Sequence, residues 1–200
     1  MVDTNLTDPF VKEKAAKDSQ PQFHQRGEEI QRFGEMRLFP IALSHEARTE
    51  SSQLLNQILA DTTILYSLYK KHHWLVRGAT FYQLHLLLDK HAGEQLELID
   101  LMAERVQTLG GVAVADPRHV AELTTVPRPP DGVEEVPAML SRLLEAHEIV
   151  IEGLRDGIKR TAANGDDGTN DMLMGDVLRT NELQVWFVAE HLVNVSVVHI

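Results

Sequence analysis

The chain of 200 residues contains no cysteine. That excludes a disulfide framework, a thiolate metal cluster and a cysteine nucleophile, and leaves His, Asp and Glu as the side chains that would hold a metal. There is no basic excess either. Lys+Arg number 19 against 30 Asp+Glu, a formal net charge of −11, so bulk charge repels nucleic acid and favours cations. No run approaches the roughly 18 apolar residues of a membrane span, and the first forty residues lack an apolar leader segment. The expectation is a soluble cytoplasmic protein with no membrane partner. What is abundant is aliphatic: 43% of residues are hydrophobic and only 6% aromatic, enough to bury the core of one domain and short for two.

Residues 1–43 are polar, punctuated by Pro9, Pro21 and Pro40, and carry no sustained periodicity; they read as a mostly irregular N-terminal extension, with residues 44–200 as the folded domain. The extension balances Lys12, Lys14, Lys17, Arg26, Arg32 and Arg37 against seven acids, so it is no polybasic tail. From about His45, apolar residues recur at three- and four-residue steps (Leu55, Ile58, Leu65, Tyr69), the stripe of a helix that stops near Gly78. A second helix opens on Thr80-Phe81-Tyr82-Gln83, a capping-box pattern, and closes at Leu109-Gly110-Gly111. The connection from 110 to 132 is long and proline-rich, with a short helix expected at Pro117 to Leu123 because proline suits a first turn. A third helix is expected from about Val133 to Thr161, with His147 in its apolar stripe and so in the core. A fourth follows from Thr169 to about Val193. The fold class is therefore all-α: a four-helix bundle with a short helix in the connection between its second and third helices.

The chemistry concentrates on two helices. His72, His73 and Trp74 end the first; His85, Asp89, Asp100 and Glu104 lie on the second. At about 100° per residue Asp89, Asp100 and Glu104 fall within about 100° of His85, on one flank beside an apolar stripe that includes Leu88, Ala92, Leu96 and Ile99. Imidazole and carboxylate without thiolate suit iron or another first-row divalent ion. The axial distance from His85 to Glu104 is roughly 28 Å, so one chain cannot close one site with both ends of the set. Two copies crossing antiparallel near Glu94 and Gln95 would bring the His85/Asp89 end of one to the Asp100/Glu104 end of the other and build two equivalent sites. Periodicity does not choose between His72 and His73, and Trp74 and Trp186, taken singly, read as packing residues. His24 and Glu28 would pair only if the extension were helical there.

The run Lys71-His72-His73-Trp74-Leu75-Val76-Arg77-Gly78, then His85 and Asp89, then Asp100-Leu101-Met102-Ala103-Glu104-Arg105 and Leu109-Gly110-Gly111, resembles the Dps family of mini-ferritins over about residues 48 to 193. The resemblance implies a ferritin-like bundle assembled into a twelve-subunit hollow shell. It implies a dinuclear ferroxidase site between two-fold-related subunits, Fe(II) and hydrogen peroxide as substrates, and a ferric mineral core. Carried over by position, the ligands are His73, His85, Asp89, Asp100 and Glu104, with Zn as a competing ion. Trp74 matches a tryptophan associated with intercepting stray oxidising equivalents. Asp171 and Asp176, near the start of the last helix, are candidates for an acidic pore admitting iron, or simply complement the helix dipole. The family name also suggests DNA compaction, which the acidic balance disfavours. Larger ferritins are set aside because no His has Glu three positions earlier.

Overall fold

The computed structural model describes residues 19–194; Lys12, Lys14, Lys17 and His199 lie outside them. Residues 19–30 contain no helix or strand, so His24 and Glu28 do not share a helical turn. Gln31 onward forms a second compact unit, and among its described residues every regular element is helical.

Helix α1 runs His45–Leu75. Ser44 starts it: its hydroxyl accepts from the Ala47 amide at 3.1 Å, satisfying one first-turn donor. Helix α2, Phe81–Leu109, ends on Gly110, whose φ of +95° fits a left-handed cap. A side chain could not stand there, because a Cβ on Gly110 would lie 2.4 Å from the Arg37 carbonyl. The approach is close because residues 31–43 are tied to this end of the bundle. The Arg37 amide donates to the Gly110 carbonyl at 2.8 Å, and the buried Arg48 guanidinium donates to the carbonyls of Arg37 and Leu109. Short helix α3, Pro117–Leu123, has Asp116 as its cap and proline in its first turn. Helix α4 spans Val136–Asn164. It begins three residues later than the pattern suggests, and Glu134, just before it, bonds Arg142 at 2.7 Å.

The last helical stretch is not uniform. Helix α5, Asp167–Met172, passes through a π-helical segment, Leu173–Leu178, into helix α6, Arg179–Glu190. Leu55, Leu59, Leu65, Leu84, Leu88, Met102, Leu143 and Leu154 fill the core between the long helices. Two local expectations fail. Thr80 precedes α2 with φ −97° and ψ 13°, outside the extended conformation a capping hydroxyl needs, and it makes no side-chain cap. Leu96, assigned to the apolar stripe, is 51% exposed, because the inner face of α2 is narrower than the stripe and takes Leu88, Ala92, Gln95 and Leu98 instead.

Candidate metal centre

His73 near the end of α1 and His85 near the start of α2 face each other across the turn between the helices. Their rings stack at 3.8 Å with an interplanar angle of 19°. The bonding is reciprocal: His73 Nδ1–H donates to the His85 carbonyl at 2.8 Å, and His85 Nδ1–H donates to the His73 carbonyl at 3.0 Å. With Nδ1 carrying the proton in both, each ring keeps its lone pair on Nε2, the arrangement of a metal-binding imidazole oriented by its other nitrogen. Asp89, one turn after His85, places Oδ1 3.8 Å from His73 Nε2. Two ligands of one ion, each about 2.0–2.2 Å from it, stand about 3–4 Å apart, so this pair fits a shared first-row cation. Lys70 donates to the same Oδ1 at 2.6 Å, and this hydrogen bond holds the Asp89 carboxyl below its usual pKa.

His72 does not join them. It is fully buried, neither ring nitrogen has a hydrogen-bond partner, and burial lowers its pKa to about 4. Trp74 is 70% exposed, with Lys70 Nζ 5.8 Å from its ring centroid. Phe81 packs on the His85 ring with centroids 5.1 Å apart.

Asp100 and Glu104 lie farther along α2, exposed to solvent. Arg105, beside Glu104, turns instead to Asp166 at 2.6 Å and Thr169 at 2.9 Å, fixing the start of α5. Glu104 shares a surface recess of about 300 Å³ with Asp171 and Asp176, which brings the pore candidates and one ligand candidate to a common cleft. Among the described residues of one chain, no three His, Asp or Glu side chains converge closely enough to hold a metal.

A second polar constellation lies inside the bundle, and only its His147 was legible in the sequence as a core residue. The Tyr69 hydroxyl donates to His147 Nε2 at 2.6 Å, and His147 Nδ1–H donates to Asn181 Oδ1 at 2.9 Å. Gln95 donates to Asn181 Oδ1 and to Gln184 Oε1, and His91 Nδ1 lies 3.3 Å from the Tyr69 oxygen. Burial lowers His147 to about 3 and His91 to about 4, so both are neutral, and it raises the Tyr69 hydroxyl well above its ordinary value. Apart from Gln95 Oε1, which is buried without a hydrogen-bond partner, the hydrogen bonds among these groups offset the cost of burying them. Lys70 and Phe81 also escaped the sequence reading; the signal for Lys70 was its place three residues before His73, on the same helical flank.

The family described as the ferritin-like domain matches residues 52–198. The chain is similar to the solved structure of DpsC from Streptomyces coelicolor, with 71% identity and a TM-score of 0.85 over 86% of this chain and all of that one. It is also similar to an archaeal Dps homologue from Halobacterium salinarum, with 28% identity and a TM-score of 0.82 over 87% of this chain and 97% of that one. A nutrient stress-induced DNA-binding protein of Synechococcus is 33% identical over 76% of this chain and 87% of its own length.

Proposed function

Since this chain belongs to the Dps branch of the ferritin-like family, we propose that it oxidises Fe(II), preferentially with hydrogen peroxide, at a dinuclear site shared between two copies. The ferric product is then stored as mineral inside a hollow shell of twelve. The observation that carries this reading is the pair of stacked imidazoles, each bonded through Nδ1 and so keeping Nε2 unbonded, with His73 Nε2 3.8 Å from Asp89, while Asp100 and Glu104 stand exposed on the same helix, too far along it to close the same site.

The exposed face of α2 supports a second copy as the missing half. Leu86, Gly93 and Asp100 recur at seven-residue steps and are all exposed, flanked by Asp89, Leu96 and Glu104. Gly93, near the midpoint between His85 and Glu104, has nothing within 4 Å of where a Cβ would be. A glycine inside an exposed helix costs about 1 kcal/mol relative to Ala, and a backbone bare at the crossing point lets two such helices approach closely.

In this arrangement His73, His85 and Asp89 of one copy and Asp100 and Glu104 of the other bind two Fe(II). Each ion gives one electron to the same peroxide, the O–O bond breaks with uptake of two protons to give two waters, and no hydroxyl radical is released. Trp74 lies one residue from His73, exposed, where it can be oxidised by any equivalent that escapes. Twelve copies would carry a formal charge of about −132, which draws cations toward the shell, and Asp171 and Asp176 are the residues we assign to an admitting pore. Zn(II) competes for the same donors. The shell belongs in the cytoplasm, and the bundle of residues 44–200 carries the activity while 1–43 form an extension to it. Direct DNA compaction is the weaker reading: the Synechococcus relative is named for DNA binding, but a net charge of −11 opposes phosphate contacts.

The test is to add Fe(II) anaerobically in large excess over two per chain, then hydrogen peroxide, and to count ferric iron that stays in solution with the protein. Tens of atoms per chain in the wild type, reduced to two or fewer in Asp100→Ala/Glu104→Ala, is the expected result. Two or fewer in the wild type would overturn storage, and an unaffected double variant would overturn the shared site.

A further inference from the structure

We propose that Lys70 is a built-in cation that occupies Asp89 before metal arrives, so that a divalent ion binds only by displacing the ammonium. Lys70 thereby sets the affinity threshold of the site. The inference rests on reading His73, His85 and Asp89 as ligands.

The carboxylate oxygen that faces His73 Nε2 at 3.8 Å is Asp89 Oδ1, and it is the atom that Lys70 Nζ holds at 2.6 Å. Ammonium and incoming metal therefore compete for one oxygen. The lysine is well placed to hold it. Its side chain is 24% exposed against 54% for Asp89, and Nζ lies over the Trp74 ring one helical turn on, at 5.8 Å, where the ring face favours a cation. Lys71 provides a contrast in the neighbouring position, since its ammonium reaches the Gly132 carbonyl at 3.3 Å, away from the site.

Selectivity follows from what each ion gains in exchange. Mg(II) and Ca(II) are hard ions that take oxygen ligands; against the ammonium they compete for Asp89 and draw little from two nitrogen lone pairs. A first-row ion gains both imidazoles along with the carboxylate. Displacing the ammonium costs both kinds of ion the same factor, so the two imidazoles decide which ion clears the threshold that Lys70 sets.

The experiment titrates the full-length, assembled protein with Zn(II), which binds without redox turnover, followed by calorimetry, with assembly checked by native mass spectrometry. Competition by Mg(II) is measured in parallel. Lys70→Met is expected to tighten Zn(II) binding about tenfold, the order set by an exposed ion pair and the removal of a nearby like charge, and to leave the preference for Zn(II) over Mg(II) unchanged. Lys70→Arg should remain close to wild type and Lys71→Met should change nothing. Unchanged or weaker Zn(II) binding by Lys70→Met overturns the proposal, the weaker case meaning that the lysine orients Asp89 for the metal. Equal tightening by Lys70→Met and Lys71→Met also overturns it, by assigning the effect to bulk charge. If the wild type takes up no Zn(II), the metal reading itself fails and this inference with it, a result distinct from wild-type binding that Lys70→Met leaves unimproved.

Discussion

Two pairs of histidines in this molecule have the same ring and opposite prospects. His91 and His147 sit inside the bundle, 1% and 0% exposed, and His147 spends both nitrogens: Nε2 accepts from Tyr69 and Nδ1 donates to Asn181. His73 and His85 stand at the α1–α2 corner, each spending Nδ1 on the other's backbone carbonyl and leaving Nε2 unspent. Ligand character therefore needs a ring nitrogen that the protein has left unsatisfied and that an ion can still reach; buried His72, with neither nitrogen bonded, meets only the first condition. The interior pair rigidifies a core, and the corner pair is held ready for something that is not protein.

The sharpest way to break this contrast is to exchange losses between the two pairs. His85→Ala should weaken Zn(II) binding by at least about 100-fold, since losing even an outer-shell partner of a ligand costs about 10–100-fold, with little change in melting temperature. His147→Leu should cost about 3 kcal/mol in denaturant unfolding, because it leaves the Tyr69 hydroxyl and an Asn181 oxygen in the core with fewer partners, while the protein that remains folded binds Zn(II) as before. Calorimetry and urea titration on both variants decide the matter; a large stability loss from His85→Ala would erase the distinction.

A smaller effect separates the pairs by pH. His147 faces Tyr69 from α1, His91 from α2 and Asn181 from α6, and its folded pKa of about 3 lies below the unfolded value near 6.5. The unfolded chain therefore binds the proton first on acidification. The stability from His147 is fully present above pH 6.5 and is lost, by at most about 1.4 kcal/mol per pH unit, as pH falls from there toward 3. Urea midpoints measured across this window should fall less steeply in His147→Gln than in the wild type. Smallest is the Phe81 contact: Phe81→Ala should loosen the His85 ring and weaken Zn(II) binding by only about threefold, an aromatic packing effect of under 1 kcal/mol.

Much of this architecture is legible in residue spacing. Pro117 in a first turn marks α3 to the residue and Gly110 marks the end of α2, since each residue type answers a local backbone requirement. Thr80 and Gln83 have the sequence of a capping box without its conformation, because the turn that aligns His73 with His85 fixes Thr80 elsewhere in φ/ψ. The choice of His73 over His72 was invisible to periodicity: both lie at the margin of one stripe, and only the position of α2 decides which is sealed and which is paired. Lys70 and the Tyr69–His147–Asn181 chain depend on residues 19 to 112 positions apart, and spacing along one helix cannot report them.

The π-helical segment Leu173–Leu178 has a consequence for how the bundle closes. Up to its first residue, Thr169, Met172 and Leu173 point inward; after it, Asn181, Gln184 and Val188 do. At about 100° per residue an unbroken α-helix would carry the second set roughly a quarter-turn away from the first, toward solvent. One surplus residue absorbed in the wide turn cancels that drift, much as a leap day realigns a calendar with the seasons. Asn181 thereby meets His147, so the hydrogen bonding of the bundle's interior depends on a phase correction made earlier in the chain.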